Sequence, residues 1–365
     1  MRILIISNIK ENGYGESTRP YFIGKGLANL GHKVLHVCER NGREGSGISF
    51  MNTEWLTTPF SFLNRVVNFF SLYIQTNLFR PDIIYVHQLN NWTWSRLSRA
   101  LPKSPRVYDS HTSSYFEHKM FGSTGLGLQT TFDREKKAVT EPELVITVSK
   151  ETKTILSELY EVAKGRIVVV KNATQIKPVT KLAHPKNAKF ICTSVLPIDG
   201  FPSNNMALDM LLDVAARTEK QDPNITFVVI GGGKKPTPKS NNVRYTGFVE
   251  NFEEEILQSD ICLGTYPETA VCGGVRNKIC DFLALGQAII STPEGMRGFD
   301  DCIASKNYIQ ASTASEFVDQ IIRLKNNPDL VIKLKKESLT VGKKYQWENR
   351  ALEVERLFKV LLRTK

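Results

Sequence analysis

The sequence holds no Cys-x-x-Cys pair, no Asp-x-Asp triplet, no Gly-x-Gly-x-x-Gly turn and no uninterrupted apolar run of bilayer length. Each absence removes a class of chemistry. The six cysteines, Cys38, Cys192, Cys262, Cys272, Cys280 and Cys302, have no histidine partners at metal-ligand spacing, so neither a disulfide framework nor a zinc site is expected. Without Asp-x-Asp, one common means of chelating a nucleotide-bound divalent ion is missing, and no metal is expected. Without the glycine spacing of a dinucleotide fingerprint, a nicotinamide or flavin oxidoreductase is disfavoured. The longest apolar segment, from Phe60 to Phe79, is broken by Asn64, Arg65, Asn68, Gln75 and Asn77, which excludes a membrane span. Two readings of its aromatics stay open: a helix packed on a sheet, and peripheral contact with a membrane surface. MRILIIS starts a strand at once with no leader pattern, so a cytoplasmic protein is expected, with peripheral contact at the inner face of the membrane as the second reading.

The 365 residues exceed one ordinary core and suggest two domains. Net charge is +11, and the stretch from Arg323 to Lys365 carries twelve cations against five carboxylates, so seven of those charges lie at the end of the chain. Such a face suits solvent, anionic lipid or nucleic acid, but no zinc-finger or RNA-binding signature accompanies it and no nucleic acid is expected as a partner.

Apolar runs alternate with helical patterns from end to end, which predicts α/β architecture with parallel sheets. In the first half these are Arg2 to Ser7, Lys33 to Glu39, Asp82 to His87, Arg106 to His111, Leu144 to Ser149 and Arg166 to Asn172. In the second half they are Lys189 to Val195, Ile225 to Gly231, Val243 to Phe248, Ile261 to Tyr266, Ala288 to Thr292 and Tyr308 to Ala311. Two Rossmann-like units follow. A polar stretch holding Pro178 and Pro185 is the expected linker. The division reads as residues 1–176 for an acceptor domain, 177–187 for the linker, 188–342 for a donor domain and 343–365 for a terminal helix.

Sheets of this kind bind ligands beyond the carboxyl ends of their strands. In the loop after the first strand, Gly13 and Gly15 permit close backbone approach. The strand RVYDSH ends on His111, which can hydrogen-bond a substrate hydroxyl or move a proton, with Asp109 as a candidate for orienting its ring. Ser149 and Asn172 end two more strands, where each can also simply cap a turn. The stretch from Gly273 to Phe299 gathers glycines, Arg276, Lys278 and Asp281 around one expected helix. Gly273 and Gly274 expose amides to a phosphate, the two cations stand in the first turn, and Asp281 follows one turn on. This is the chemistry of a nucleotide diphosphate cradle.

The chain resembles glycosyltransferase family 4, retaining enzymes of the GT-B fold. The resemblance rests on MRILIISN with LANLGHKV, on PDIIYVH, VYDSH and ELVITVSKETKTIL followed by RIVVVKNAT, and on ITFVVIGGG, NNVRYTGFVENFEEEILQSDICL and KKYQWENRALEVERLFKVLL. It implies two Rossmann-like domains whose sheets face a central cleft, with a C-terminal helix crossing back to the first domain. It also implies transfer of a sugar, with a hexose expected, from a UDP- or GDP-linked donor to a glycan or lipid-linked acceptor in polysaccharide biosynthesis. No cofactor is expected. By the resemblance His111 contacts the donor sugar, Asp281 is the second acid of an E-x7-E signature and binds ribose hydroxyls, and Gly13 and Gly15 close over the diphosphate and acceptor. The first acid of that signature is replaced by Gly273. Glu268, after the strand ICLGTY, either takes its place or is an exposed loop residue. Arg276, Lys278 and the amides near Gly273 and Gly274 are expected to stabilise the leaving diphosphate. The alternative is a nucleotide-binding or assembly protein of the same fold without catalysis.

Overall fold

The computed structural model describes residues 1–7, 18–38, 48–52, 62–97, 101–183, 189–198, 200–234, 236–237, 240–271 and 274–364. The apolar runs become strands buried on both faces, the burial that parallel sheets require. In the first unit these are β1 (Arg2–Ile6), β2 (Lys33–Cys38), β3 (Ser49–Asn52), β4 (Ile83–His87), β5 (Arg106–Ser110), β6 (Leu144–Thr147) and β7 (Ile167–Val169). They pair in the order β3-β2-β1-β4-β5-β6-β7, all parallel, with Leu4 facing Leu35 on one side and Ile84 on the other. The second unit holds β8 (Phe190–Val195), β9 (Ile225–Ile230), β10 (Val243–Gly247), β11 (Ile261–Gly264), β12 (Ala288–Ser291) and β13 (Ile309–Gln310), ordered β10-β9-β8-β11-β12-β13. Each sheet reverses its winding once, between β1 and β4 and between β8 and β11. Those are the places where such sheets open a crevice for ligand.

The first unit comprises Met1–Ala173 and Trp347–Lys365, the second Thr174–Gln346. The expected linker therefore needs correction. Residues 174–183 pack on the second unit: the amide of Val179 donates to the carbonyl of Ala284 at 3.1 Å, and the buried ammonium of Lys335 donates to the carbonyl of Ala183 at 3.0 Å. The terminal helix Trp347–Arg363 lies against the helix Thr18–Asn29 of the first unit. The two come together because Gly26 has no side chain; a Cβ there would stand 2.4 Å from that of Ala351. Phe22 stacks on Trp347 with ring centroids 6.1 Å apart, and His32 meets Glu355 at 2.8 Å.

Strand ends fall short of the apolar runs, so Ser149 and Asn172 stand beyond their strands. Ser149 caps the helix Lys150–Tyr160, accepting from the amide of Thr152 at 3.1 Å. β3 was not expected, because SFMN offers too short a run at the sheet's edge. In the second unit the triple glycine after β9 packs against the chain leaving β8. A Cβ on Gly233, whose φ is +124°, would lie 1.7 Å from the carbonyl oxygen of Ile198. Those glycines serve a close backbone approach.

Candidate active site

At the carboxyl edge of the first sheet, β4 and β5 lie side by side and bring His87 opposite Asp109 in register. Asp109 is fully buried. A buried carboxylate needs partners, and Asp109 has them: Nε of Arg19 donates to both its oxygens at 3.1 Å, and the phenol of Tyr85 donates to Oδ2. Arg19, itself buried on the helix after β1, also donates to Oδ1 of Asn172 at 3.0 Å and to the carbonyl of Lys171 at 3.1 Å. One guanidinium thus ties the helix after β1 to β5 and to the chain beyond β7. Asn172 serves this brace.

Asp109 does not orient His111 through a hydrogen bond, since the two stand 3.8 Å apart. Nε2 of His111 meets Nδ1 of His87 at 3.1 Å instead. Burial lowers the His111 pKa to about 4, with Asp109 opposing and Arg19 reinforcing the shift. Burial also pushes His87 well below its ordinary value, helped by His111, Arg19 and His36. Both rings are neutral at pH 7. His87, Asp109 and His111 place one ligand atom each within 4.8 Å of one another, as a metal site would. The Arg19 guanidinium already holds that carboxylate, and the two rings bond each other instead.

His111 lines a cleft of about 330 Å³ with Gln88, Tyr108, Thr112, Glu117 and Arg134. Beside its lining residue Ser114, buried Glu135 accepts from the hydroxyl of Ser113 at 2.8 Å, the amide of Ser114 at 2.7 Å and the phenol of Tyr160 at 2.6 Å. These bonds fasten the start of the helix Ser114–Met120 directly after His111. Gly13 and Gly15 lie outside the described residues, as does Gly273.

In the second unit the expected helix starts later and is shorter than anticipated, running from Lys278 to Ala284. Gly274 precedes it by four positions and does not open it. Arg276 lies before its first turn and is buried. Its Nη1 donates to the hydroxyl of Ser203 at 3.1 Å, its Nη2 reaches the carbonyl of Ala270 and lies 3.3 Å from Oε1 of Glu294, and its guanidinium lies 4.0 Å from the centroid of the Tyr266 ring. Those partners stand on the chain after β8, β11 and β12. Arg276 is therefore an internal brace whose charge Glu294 answers, a correction to the expected free counter-charge. Arg297 closes on the other oxygen of Glu294 at 2.7 Å.

Lys278 differs. It is partly exposed, it forms no ion pair within 4 Å among the described residues, and its ammonium stands 5.5 Å from the Tyr266 centroid. Asp281 accepts from the hydroxyl of Thr174, and burial raises its pKa to about 7 against the pull of that bond. Glu268 is exposed on its loop. Arg19, Tyr85, His87, Tyr266, Glu294 and Arg297 were not anticipated. His87 alone carried a signal, since PDIIYVH ends on histidine as RVYDSH does.

Residues 17–177 match the family described as Glycosyltransferase Family 4, and residues 194–327 the family described as Glycosyl transferases group 1. No curated protein matches the chain by sequence. Among solved structures, sucrose-phosphate synthase from Thermosynechococcus elongatus superposes with a TM-score of 0.76 at 14% identity, covering 100% of this chain and 99% of its own. HepE of Anabaena in complex with UDP gives 0.76 at 14%, covering 99% and 100%. A TarM variant from S. aureus, solved with fondaparinux, alpha-GlcNAc-glycerol and UDP, gives 0.72 at 10%, covering 98% and 100%. At these identities the likeness is one of fold.

Proposed function

The chain belongs to glycosyltransferase family 4, and we propose that it moves a sugar from a nucleoside diphosphate donor, UDP-linked before GDP-linked, to a hydroxyl of a glycan or lipid-linked acceptor. The observation that carries this reading is Lys278, a cation with no ion-pair partner among the described residues, standing at the carboxyl edge of the second sheet beside a helix start. Departure of a diphosphate builds negative charge on its oxygens, and a positive group fixed in advance stabilises that charge more than the ground state. Arg276 contributes indirectly by holding the loop geometry. UDP is favoured because HepE has been solved with UDP and with UDP and glucose, and TarM with UDP.

Asp281, joined to Thr174, is assigned the ribose hydroxyls, and neutral His111 a hydroxyl of the donor sugar. Retention by a front-face route, in which the leaving phosphate takes the acceptor proton, needs no covalent nucleophile. With no Asp-x-Asp in the sequence, transfer is expected to proceed without a divalent ion. Release of UDP from UDP-glucose, UDP-galactose and UDP-N-acetylglucosamine, with and without EDTA and against GDP-mannose, tests these points together. Turnover of one donor that survives EDTA is expected. Binding of every donor without turnover of any would replace the reading with that of a nucleotide-binding protein.

An acceptor at a membrane fits one further observation. On the helix Phe62–Phe79, Phe70, Tyr73, Ile74 and Leu78 are exposed at the spacing of one helical face, and no helix among the described residues is long and apolar enough to cross a bilayer. Co-sedimentation with anionic vesicles, lost on Ile74→Glu with Leu78→Glu, is the expected result; sedimentation unchanged by the pair would remove the contact.

A further inference from the structure

Two histidine rings at the carboxyl edge of the first sheet share one hydrogen bond, and their surroundings decide which ring owns the proton in it. A neutral imidazole has one N–H and one lone pair. The bridge between Nδ1 of His87 and Nε2 of His111 therefore has two forms. In one, His87 donates from Nδ1, and His111 carries its own proton on Nδ1. In the other, His111 donates from Nε2, and His87 carries its proton on Nε2.

Nε2 of His87 is buried and meets no hydrogen-bond partner among the described residues. The second form would place an N–H donor there with nothing to receive it, and orphaned buried donors are rare because their full desolvation penalty goes unanswered. The first form leaves only an unused lone pair. The remaining polar neighbours do not reverse this preference. Asp109 stands 3.8 Å from both bridging nitrogens and favours neither. Arg19 and Tyr85 donate to Asp109, and His36 bonds the hydroxyl of Ser7 at 2.7 Å.

We propose that His87 is a positioning residue that fixes His111 as its Nδ1–H tautomer, so that His111 offers a hydrogen-bond donor to the cleft it lines. Its one lone pair is spent on His87. His111 then cannot act as a general base; it donates to a hydroxyl oxygen of the bound sugar. That ligand rests on the function proposed above, whereas the tautomer does not.

The test is a long-range proton–nitrogen correlation on the full chain labelled with nitrogen-15 histidine, at pH 7, with His111 assigned from its loss in His111→Gln. The expected spectrum of the unaltered protein shows Nδ1 protonated and Nε2 bare, a result independent of any variant's folding. In His87→Leu the ring reverts to the Nε2–H form that imidazole prefers in water, and kcat falls about tenfold with little change in donor KM. His87→Asn, which restores an N–H donor at the bridge, keeps the native tautomer and most of the kcat. A protonated Nε2 on His111 in the unaltered protein, or identical behaviour of the Leu and Asn variants, overturns the proposal. The assigned tautomer without turnover of any nucleotide sugar would leave it standing and sink the transferase reading instead.

Discussion

The carboxyl edges of the two sheets both contain a buried carboxylate held by arginine, yet they balance charge differently. In the first unit one guanidinium serves Asp109, and the neighbouring histidines are neutral, so the edge presents hydrogen bonds to its cleft. In the second, Glu294 sits between Arg276 and Arg297, with Lys278 standing apart from that cluster. An arginine between loops at a sheet edge is thus as much a fastener as a ligand, and the group available for chemistry is the one the fastening leaves over.

Removing the fasteners is the strongest way to break this comparison. Arg19→Ala leaves Asp109 buried and unpaired, and is expected to cost about 3–5 kcal/mol, read from the shift of the urea midpoint. Arg276→Ala takes one of its two arginines from buried Glu294, and a loss of about 2–4 kcal/mol is expected on the same measurement, with transfer lowered through disorder of three loops. Lys278→Ala should do the opposite. Its stability stays within about 0.5 kcal/mol while transfer falls by about a hundredfold, since it removes charge from the developing diphosphate. If Arg276→Ala folds as stably as the native chain and loses only activity, the assignment of fastener and ligand is inverted.

Titration sharpens the contrast at smaller amplitude. His111, at about 4, lies below the 6.5 of a free imidazole, so its contribution to stability is complete above pH 6.5 and is lost as pH falls through 4. Asp281, at about 7, lies above the 3.8 of an unperturbed aspartate; its contribution is complete below pH 3.8 and is lost as pH rises through 7. Asp281→Asn, which can still accept from Thr174, is therefore expected to gain in melting temperature relative to the native chain between pH 4 and 7. An equal difference at both ends of that range would show that the carboxyl titrates normally.

Most of the architecture was legible because strands buried on both faces must be written as near-continuous apolar runs, as Ile83–His87 is. β3 escaped because an edge strand of four residues needs no such run. The sites were legible only in part, for a different reason. A strand end marks where His111 must emerge, so position alone found it. Local sequence does not distinguish an arginine that meets solvent from one that meets a glutamate eighteen residues later, and Arg276 and Lys278 read alike until Glu294 is in place. Arg19 is ninety residues from Asp109, and no spacing rule connects them. Glu268 attracted notice by being an acid near the expected gap, whereas the acid the fold encloses is Glu294.

The return of the terminal helix to the first unit also orders events during synthesis. The chain leaves that unit after Ala173 and re-enters it at Trp347, so the second unit is an insertion within the first. On a ribosome, residues 174–346 are complete before the partner of the helix Thr18–Asn29 has been made, and Gly26 waits for Ala351 with its groove uncovered. The earlier half of the gene therefore encodes the domain that matures last.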